Sequence, residues 1–373
     1  MEVVISLLTG FGISFATIKD IMTTTKPYGD QLNDMCFHPA NNDSQGNLRV
    51  VYSGLSSHMD RALCVLVNVF QNASHDIMGA PMTALLLATF GTVIVLMSLE
   101  GARKGFKGSL LALFPLYAFS ANIITATAMF AFIWVPLSLY YKKRAQKADF
   151  NITLPDVYGS LVGVLVAYGL PTALLFSPLV QPDSRLEQDL WASWQFVPLL
   201  MVPLIPLFIK FFCQPSTIDR VDDKALRERL YVAEGKDALE KVYLTLGIVN
   251  MLIYFGMYLK VALQGIHIWD SLVLLYRAPD NLPATITFGD LGQIVSTRIM
   301  MIDLVGFSLG LLVWTFLDGG VLAGLTVAFI MPIIGPSAAI SFYSYYRESK
   351  IQNLAAMNPP TDKPSSSRQK RKL

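Results

Sequence analysis

The chain has 373 residues, of which 53% are hydrophobic and only 15% are charged, and its mean hydropathy is +0.47. This composition lies outside the range of ordinary soluble domains and predicts a polytopic membrane protein. The formal net charge of +2 is too small to indicate nucleic-acid binding, and the basic residues follow predicted helix ends instead of lining one face.

The membrane spans are predicted from runs of roughly 20 apolar residues, the length that crosses a bilayer core about 30 Å thick. The first run lacks a basic start and a cleavage site of small residues, so we expect a retained anchor. The third run is overlong and is expected to tilt or to kink at Pro115. In chain order, the eight predicted spans of this all-α transmembrane bundle are 2–18, 81–99, 109–138, 157–178, 191–212, 242–263, 299–317 and 320–343.

Residues 1–357 are predicted to form a single bundle, because the connections between the spans are too small for an independent soluble domain. The connection 264–298 is long enough to fold back as a lid and carries Asp270 and Asp290. Residues 358–373 are rich in Pro, Ser and Lys and lack aromatic residues, so they are predicted to form a disordered basic tail on the cytoplasmic side.

The segment 50–76 precedes the second span and contains a short amphipathic helix that starts near Met59. This helix is too short to cross a bilayer, so we expect it to lie at the interface or to re-enter the bundle. It would carry Asp60 to membrane depth. Either Asp60 caps the helix and pairs with Arg61, or it has a catalytic or substrate-orienting role.

The cysteines and the sequons give little information about compartment. Cys36, Cys64 and Cys213 show no paired spacing, so neither a disulfide framework nor a metal site is predicted. Asparagines in Asn-x-Ser/Thr triplets would mark lumenal loops if they carried glycans, and these are Asn42, Asn72 and Asn151.

Two basic segments conflict over the orientation of the chain. The run 142–144 (Lys-Lys-Arg) and the basic tail are separated by five predicted spans, which places them on opposite sides of the membrane. Because cytoplasmic loops carry the excess of Lys and Arg, one of these two cues must be wrong.

Asp303 lies a little over one turn inside the seventh predicted span. A carboxyl group at this depth costs several kcal/mol unless it is protonated, paired or facing water, so it indicates a functional site. The alternative is a structural ion pair with Arg298.

Other acids are easier to explain structurally. Glu100 ends the second span and is followed by Arg103 and Lys104, which favours an interfacial salt bridge but leaves a catalytic role open. Asp318 lies in an Asp-Gly-Gly sequence typical of a tight turn, near the mouth of the bundle.

Aromatic residues are more frequent in the spans than polar ones. A protonatable acid among aromatic faces is what carbocation chemistry requires, because the acid starts the reaction and the rings stabilise cationic intermediates. The predicted substrate contacts are Trp314, Phe307, Tyr254 and Asn122.

The chain resembles the fungal membrane-bound terpene cyclases of the ascofuranone and paxilline type. The resemblance rests on length, the eight-span pattern, the early Lys-Pro-Tyr-Gly at 26–29, the stretch from Tyr52 through Asp60 to Phe70, and the acid in the seventh span. The sequence departs from the family's Gly-hydrophobic-x-x-Leu-Asp pattern, because Met59 precedes the acid.

The resemblance implies a cyclisation without metal or other cofactor, in which an acid protonates an epoxide or olefin of a prenylated aromatic or indole substrate. Asp303 is the expected proton donor, with Asp60 and Glu100 as second choices. The implied partners are a lipophilic prenylated small molecule and membrane lipid, and the implied location is the endoplasmic reticulum. Two other classes stay open: a small-molecule transporter, and a membrane scaffold without catalysis.

Overall fold

The computed structural model describes residues 1–37, 49–214, 216–277 and 286–351. The predicted tail, Asn42 and part of the predicted lid lie outside these residues. Within them the ordered elements are helices without strands, which confirms the prediction of an all-α membrane bundle. Five helices are long and apolar enough to cross a membrane, and a bent pair would make six.

The helices are, in chain order, α1 Glu2–Phe37, α2 Ser57–His75, α3 Gly79–Ala102, α4 Phe114–Ile123, α5 Val135–Arg144, α6 Leu154–Val164, α7 Leu170–Leu175, α8 Arg185–Trp194, α9 Val197–Phe212, α10 Lys224–Leu263, α11 Ile268–Arg277, α12 Phe288–Gly319, α13 Val321–Ile334 and α14 Pro336–Ile351. Two π-helical segments, Ala128–Trp134 and Leu165–Gly169, run directly into α5 and α7. The bent pair is α8 and α9, with an angle of 65°.

The predicted span 109–138 is not a single span but a helical hairpin. Its first arm starts beside the end of α3, where a Cβ at Gly101 would lie 2.9 Å from the Cα of Ala112. Near the end of its second arm, Lys142 Nζ donates to Asp318 Oδ1 over 2.8 Å at the end of α12. The start of the first arm and the end of the second arm therefore lie at the same end of the bundle.

The turn of this hairpin lies at Ile124 and not at Pro115, where a kink was expected. Pro115 lies in the first turn of α4. A backbone N–H has no intrahelical partner there, so proline causes no break.

The predicted span 320–343 is also part of a hairpin, formed by α13 and α14. Gly335 joins them with φ +90°, a conformation that favours glycine. The hairpin returns to its starting point, because Arg347 Nε of α14 donates to Asp318 Oδ2 over 2.8 Å, three residues before α13 begins. An apolar run cannot distinguish a hairpin from a span, since both bury apolar side chains.

These two hairpins change how the basic run and the last described helix are related. The basic run at Lys142 and the end of α14 both contact Asp318. Within the described residues they therefore lie at the same end of the bundle, while the basic tail itself lies outside these residues. We call this end the basic end of the bundle.

The other end of the bundle contains a disulfide between Cys36 of α1 and Cys64 of α2. The expectation of no disulfide is wrong, because the pairing depends on how α1 packs against α2 and not on sequence spacing. Tyr28 and Leu291 pack in the same cluster. We call this the disulfide end.

Two of the sequons lie at opposite ends of the molecule. Asn72 Nδ2 donates to Tyr28 Oη over 2.9 Å at the disulfide end. The carbonyl group of Asn151 accepts from the N–H of Lys104 over 2.8 Å near the basic end. They cannot both face the lumen.

Candidate active site

Asp303 lies beside the turn of the first hairpin and is buried. Its Oδ2 accepts from the N–H of Ala126 over 3.2 Å, and its Oδ1 accepts from the N–H of Thr127 over 3.1 Å. The Thr127 hydroxyl lies 2.7 Å from Oδ1. The carboxyl group therefore contacts the start of the helical segment that leads into α5.

The local sequence explains why a helix starts here. Thr125 Oγ accepts from the N–H of Ala128 over 3.0 Å, as an N-cap side chain does. The N–H groups of the first turn have no intrahelical acceptor, and two of them point at Asp303. The threonines at 125 and 127, two polar residues inside an apolar run, are a sequence signal for this break.

Asp303 lines a cavity of about 190 Å³ among α1, α2, α3, α4, α8 and α12. The polar side chains in its lining are Asp303, Asn122 and Thr125, and the rest of the lining is apolar. The aromatic side chains that line it are Phe70, Phe90 and Trp194.

Asn122, predicted as a substrate contact, lines this cavity. Its Nδ2 donates to the carbonyl oxygen of Gln195 over 3.1 Å. Gln195 lies in the bend between α8 and α9. Two helix breaks therefore meet at the cavity.

The other predicted aromatic contacts do not line the cavity. Phe307 packs behind it, with ring centroids 6.4 Å from Phe90. Trp314 lies further toward the basic end, where the Arg347 guanidinium is 5.4 Å from its ring centroid. Tyr254 donates from its hydroxyl to the carbonyl oxygen of Pro332 over 2.7 Å.

Asp60 organises the loop before α2. It accepts from the N–H groups of Ser53 (2.6 Å), Gly54 (3.0 Å) and Tyr52 (3.2 Å). These hydrogen bonds, above all that from Ser53, lower the pKa of Asp60. Arg61 does not pair with it in the described structure but lies 4.6 Å from the ring centroid of Phe37. Asp60 does not line the Asp303 cavity.

Glu100 belongs to a buried charge network at the basic end. Its Oε1 accepts from Arg103 over 2.8 Å, as predicted, and from Arg347 over 2.7 Å. Arg103 also donates to Glu348. Asp318 accepts from Lys142 as well as Arg347, so the network contains three acids and three bases, namely Glu100, Asp318, Glu348, Lys142, Arg103 and Arg347.

Arg298 does not pair with Asp303, contrary to the structural alternative. Its guanidinium donates to Asp20 Oδ1 over 3.1 Å and to Thr24, both in α1. Within the described residues Asp303 has no cationic partner, and every hydrogen bond it receives comes from an uncharged donor.

A group with metal-ligating side chains lies at the disulfide end and was not predicted. It consists of His75, Asp183 and Glu187. His75 Nε2 lies 2.9 Å from Glu187 Oε1, while Glu187 Oε2 already accepts from Gln71 and from the N–H of Asp183. More than 100 residues separate His75 from the two acids, so sequence spacing gave no signal.

The chain was compared with models of known protein families. A family model described as the CtvD domain matches residues 37–351. The chain belongs to the CtvD family. This is a fungal terpene-cyclase-like family, which supports a role in secondary-metabolite biosynthesis. No curated protein and no solved structure matches the chain. The matched region includes α2 to α14 and only the last residue of α1.

Proposed function

We propose that this protein is a membrane-bound terpene cyclase of the ascofuranone and paxilline type. Asp303 protonates an epoxide or olefin of a prenylated aromatic or indole substrate, and the chain cyclises without a metal ion. The observation that carries the proposal is a buried acid that faces an aromatic-lined cavity and has no ionic partner among the described residues.

The hydrogen bonds of Asp303 leave room for the transferred proton. Oδ2 accepts one hydrogen bond, from Ala126, and a carboxylate oxygen has two lone pairs. The second position on Oδ2 is where a proton would sit before transfer. Thr127 and the backbone fix the other oxygen, so they orient the acid.

The reaction balances as an isomerisation. Proton transfer to the epoxide oxygen breaks a C–O bond, or transfer to the olefin places hydrogen on carbon. The electron pair of the next double bond closes the ring, and the final cation loses a proton to the Asp303 carboxylate. Phe70, Phe90 and Trp194 stabilise the cations with their ring faces, and the apolar lining excludes water.

The main alternative is a small-molecule transporter. It is favoured by the two helix breaks that meet at the cavity, because transporters place binding sites at discontinuous helices. A transporter would move its substrate unchanged, so chemical conversion distinguishes the two.

We also propose residence in the endoplasmic reticulum with the disulfide end in the lumen. The Cys36–Cys64 disulfide requires an oxidising compartment, and the basic run that includes Lys142 lies at the other end, where the cytoplasm is expected.

The test is conversion of substrates by microsomes that carry the protein, in deuterated buffer. Prenylated phenol and indole epoxides and olefins are supplied to the wild type, to Asp303→Asn and to Asp290→Asn. Asp290 is an exposed acid on the same helix and serves as the matched control.

We expect the wild type and Asp290→Asn to form a product of unchanged composition, and Asp303→Asn to lose at least about 100-fold in rate, the typical contribution of a general acid. Deuterium on carbon would assign the start to an olefin. Conversion that is undiminished in Asp303→Asn would contradict the role of this acid, and transport of unchanged substrate would favour the alternative.

A further inference from the structure

The cavity at Asp303 is too small for a whole prenylated aromatic molecule. Its volume is about 190 Å³, whereas sites for drug-sized ligands are roughly 300 to 1,000 Å³. Under the proposed function it holds the reacting end only. The rest of the substrate needs a second space that is continuous with the cavity.

A larger apolar groove lies directly outside the cavity, with a volume of about 830 Å³. It runs between α1 and the segment Ala128–Trp134. Phe15 and Met22 of α1 line it and are 58% and 67% exposed, so the groove opens onto the membrane-facing surface. Met129 and Phe132 form the opposite wall.

The groove and the cavity have one lining residue in common. Ile124, at the turn of the first hairpin, lines both spaces. On α1, Ile21 lines the cavity whereas Ile18 lines the groove. The two spaces are therefore adjacent at Ile124.

Two lysines contribute the charged side chains in the lining of the groove. Lys19 and Lys26 line it and are exposed, and neither forms an ion pair with a residue in the described part of the chain. Asp20, the acid next to Lys19 in the chain, is bound by Arg298. An anionic group at this position would therefore meet two lysines that form no ion pair within the described residues.

We propose that this groove is the substrate's lateral entry site from the bilayer, and that the substrate carries an acidic head group such as an aromatic carboxylate. The head group lies at Lys19 and Lys26, the prenyl chain lies along the groove, and the terminal isoprene unit passes Ile124 to reach Asp303. This inference rests on the proposed function. The α1 wall of the groove lies outside the family match, whereas the wall that contains Met129 and Phe132 lies inside it.

The first experiment compares a farnesylated aromatic acid with its methyl ester. In Lys19→Met/Lys26→Met we expect KM for the acid to rise about tenfold, the sum of two exposed charge contacts, while kcat and the kinetics of the ester stay unchanged. Lys260→Met is the control, because Lys260 is exposed on α10 and does not line the groove. Equal effects on acid and ester, or no effect on the acid, would overturn the head-group assignment.

A second experiment gives a result that does not depend on turnover. A diazirine analogue of the farnesylated acid is photolysed in microsomes, and the labelled residues are mapped. Labelling of α1 near Phe15 that the unlabelled acid displaces supports the entry site, even if no conversion is found and the proposed function fails. Labelling elsewhere, or labelling displaced only by phosphatidylserine vesicles, would overturn it and make an anionic phospholipid the occupant.

Discussion

The two ends of the bundle bury acids in opposite ways. At the basic end, Glu100, Asp318 and Glu348 each pair with an arginine or a lysine, and the charges balance. In the half nearer the disulfide, Asp303 accepts hydrogen bonds from the backbone and from Thr127, without a cationic partner among the described residues.

This difference distinguishes acids that hold the bundle together from an acid that is free to exchange a proton. A paired carboxylate cannot take up a proton without leaving its arginine or lysine uncompensated in an apolar surrounding, which is costly. Asp303 can do so without breaking an ion pair, and a cavity lies beside it. Burial alone therefore does not distinguish a structural acid from a candidate catalytic one, and the partners of the acid must be considered.

The largest expected effect is at the basic end. Arg347 contacts Glu100 and Asp318 and links α14 to α3 and α12. We expect Arg347→Met to lower the free energy of unfolding by about 3–5 kcal/mol, because it leaves buried carboxylates unpaired. Denaturant or thermal unfolding in detergent checks this. Lys241→Met is the control, since its pair with Asp237 is exposed, and it should not change the melting temperature. If Arg347→Met also left the melting temperature unchanged, the charge network would not contribute to stability.

A smaller loss of stability is expected at the other end. Cys36→Ser/Cys64→Ser removes a cross-link with a sequence separation of 28 residues and should cost about 2–4 kcal/mol. The matched control is Cys213→Ser, because Cys213 is free and exposed. Thiol labelling without reductant should modify Cys213 only. Labelling of Cys36 or Cys64 would contradict the disulfide.

The orientation of Asp303 should depend on one hydroxyl. Thr127→Val removes a donor to the carboxyl group, and we expect it to cost about 1–2 kcal/mol of stability and about tenfold in rate. Thr127→Ser keeps the hydroxyl and should recover the rate. Thr326→Val is the control, because Thr326 is exposed and bonds only to its own helix. If Thr127→Val is fully active, the helix start alone positions the acid.

The smallest effect is a dependence of stability on pH. The hydrogen bond to Glu187 raises the pKa of His75, against the opposing effect of burial. A raised pKa in the folded state adds stability below the ordinary value of about 6.5, and this is lost as the pH rises through the folded-state pKa. We expect the melting temperature to fall by about 2 °C between pH 6 and pH 8.

This fall should disappear in His75→Asn and persist in His58→Asn, because His58 is exposed on the same helix. An identical pH profile in His75→Asn and wild type would show that the contact with Glu187 does not contribute to stability.

Among the candidate acids, Asp303 and Glu100 illustrate how far sequence reasoning reaches. The salt bridge of Glu100 with Arg103 was predictable, because the two lie three residues apart at a helix end. Asp303 stood out by its depth, but its partners at Ala126 and Thr127 are 177 and 176 residues away and follow only from packing. Of the predicted substrate contacts, Asn122 lines the same cavity as Asp303, whereas Trp314 lies beside Arg347.

The sequence by itself determined the class of protein, since its apolar composition permits only a helical membrane bundle, and it identified Asp303 as an acid that needs explanation. The tertiary structure decided that residues 109–138 and 320–343 fold back as hairpins, that Cys36 pairs with Cys64, and that Lys142 and the end of α14 lie at one end. The physical reason is that hydrophobicity fixes which segments are buried, but not where each one turns. The turns depend on caps such as Thr125 and on partners far away in the chain.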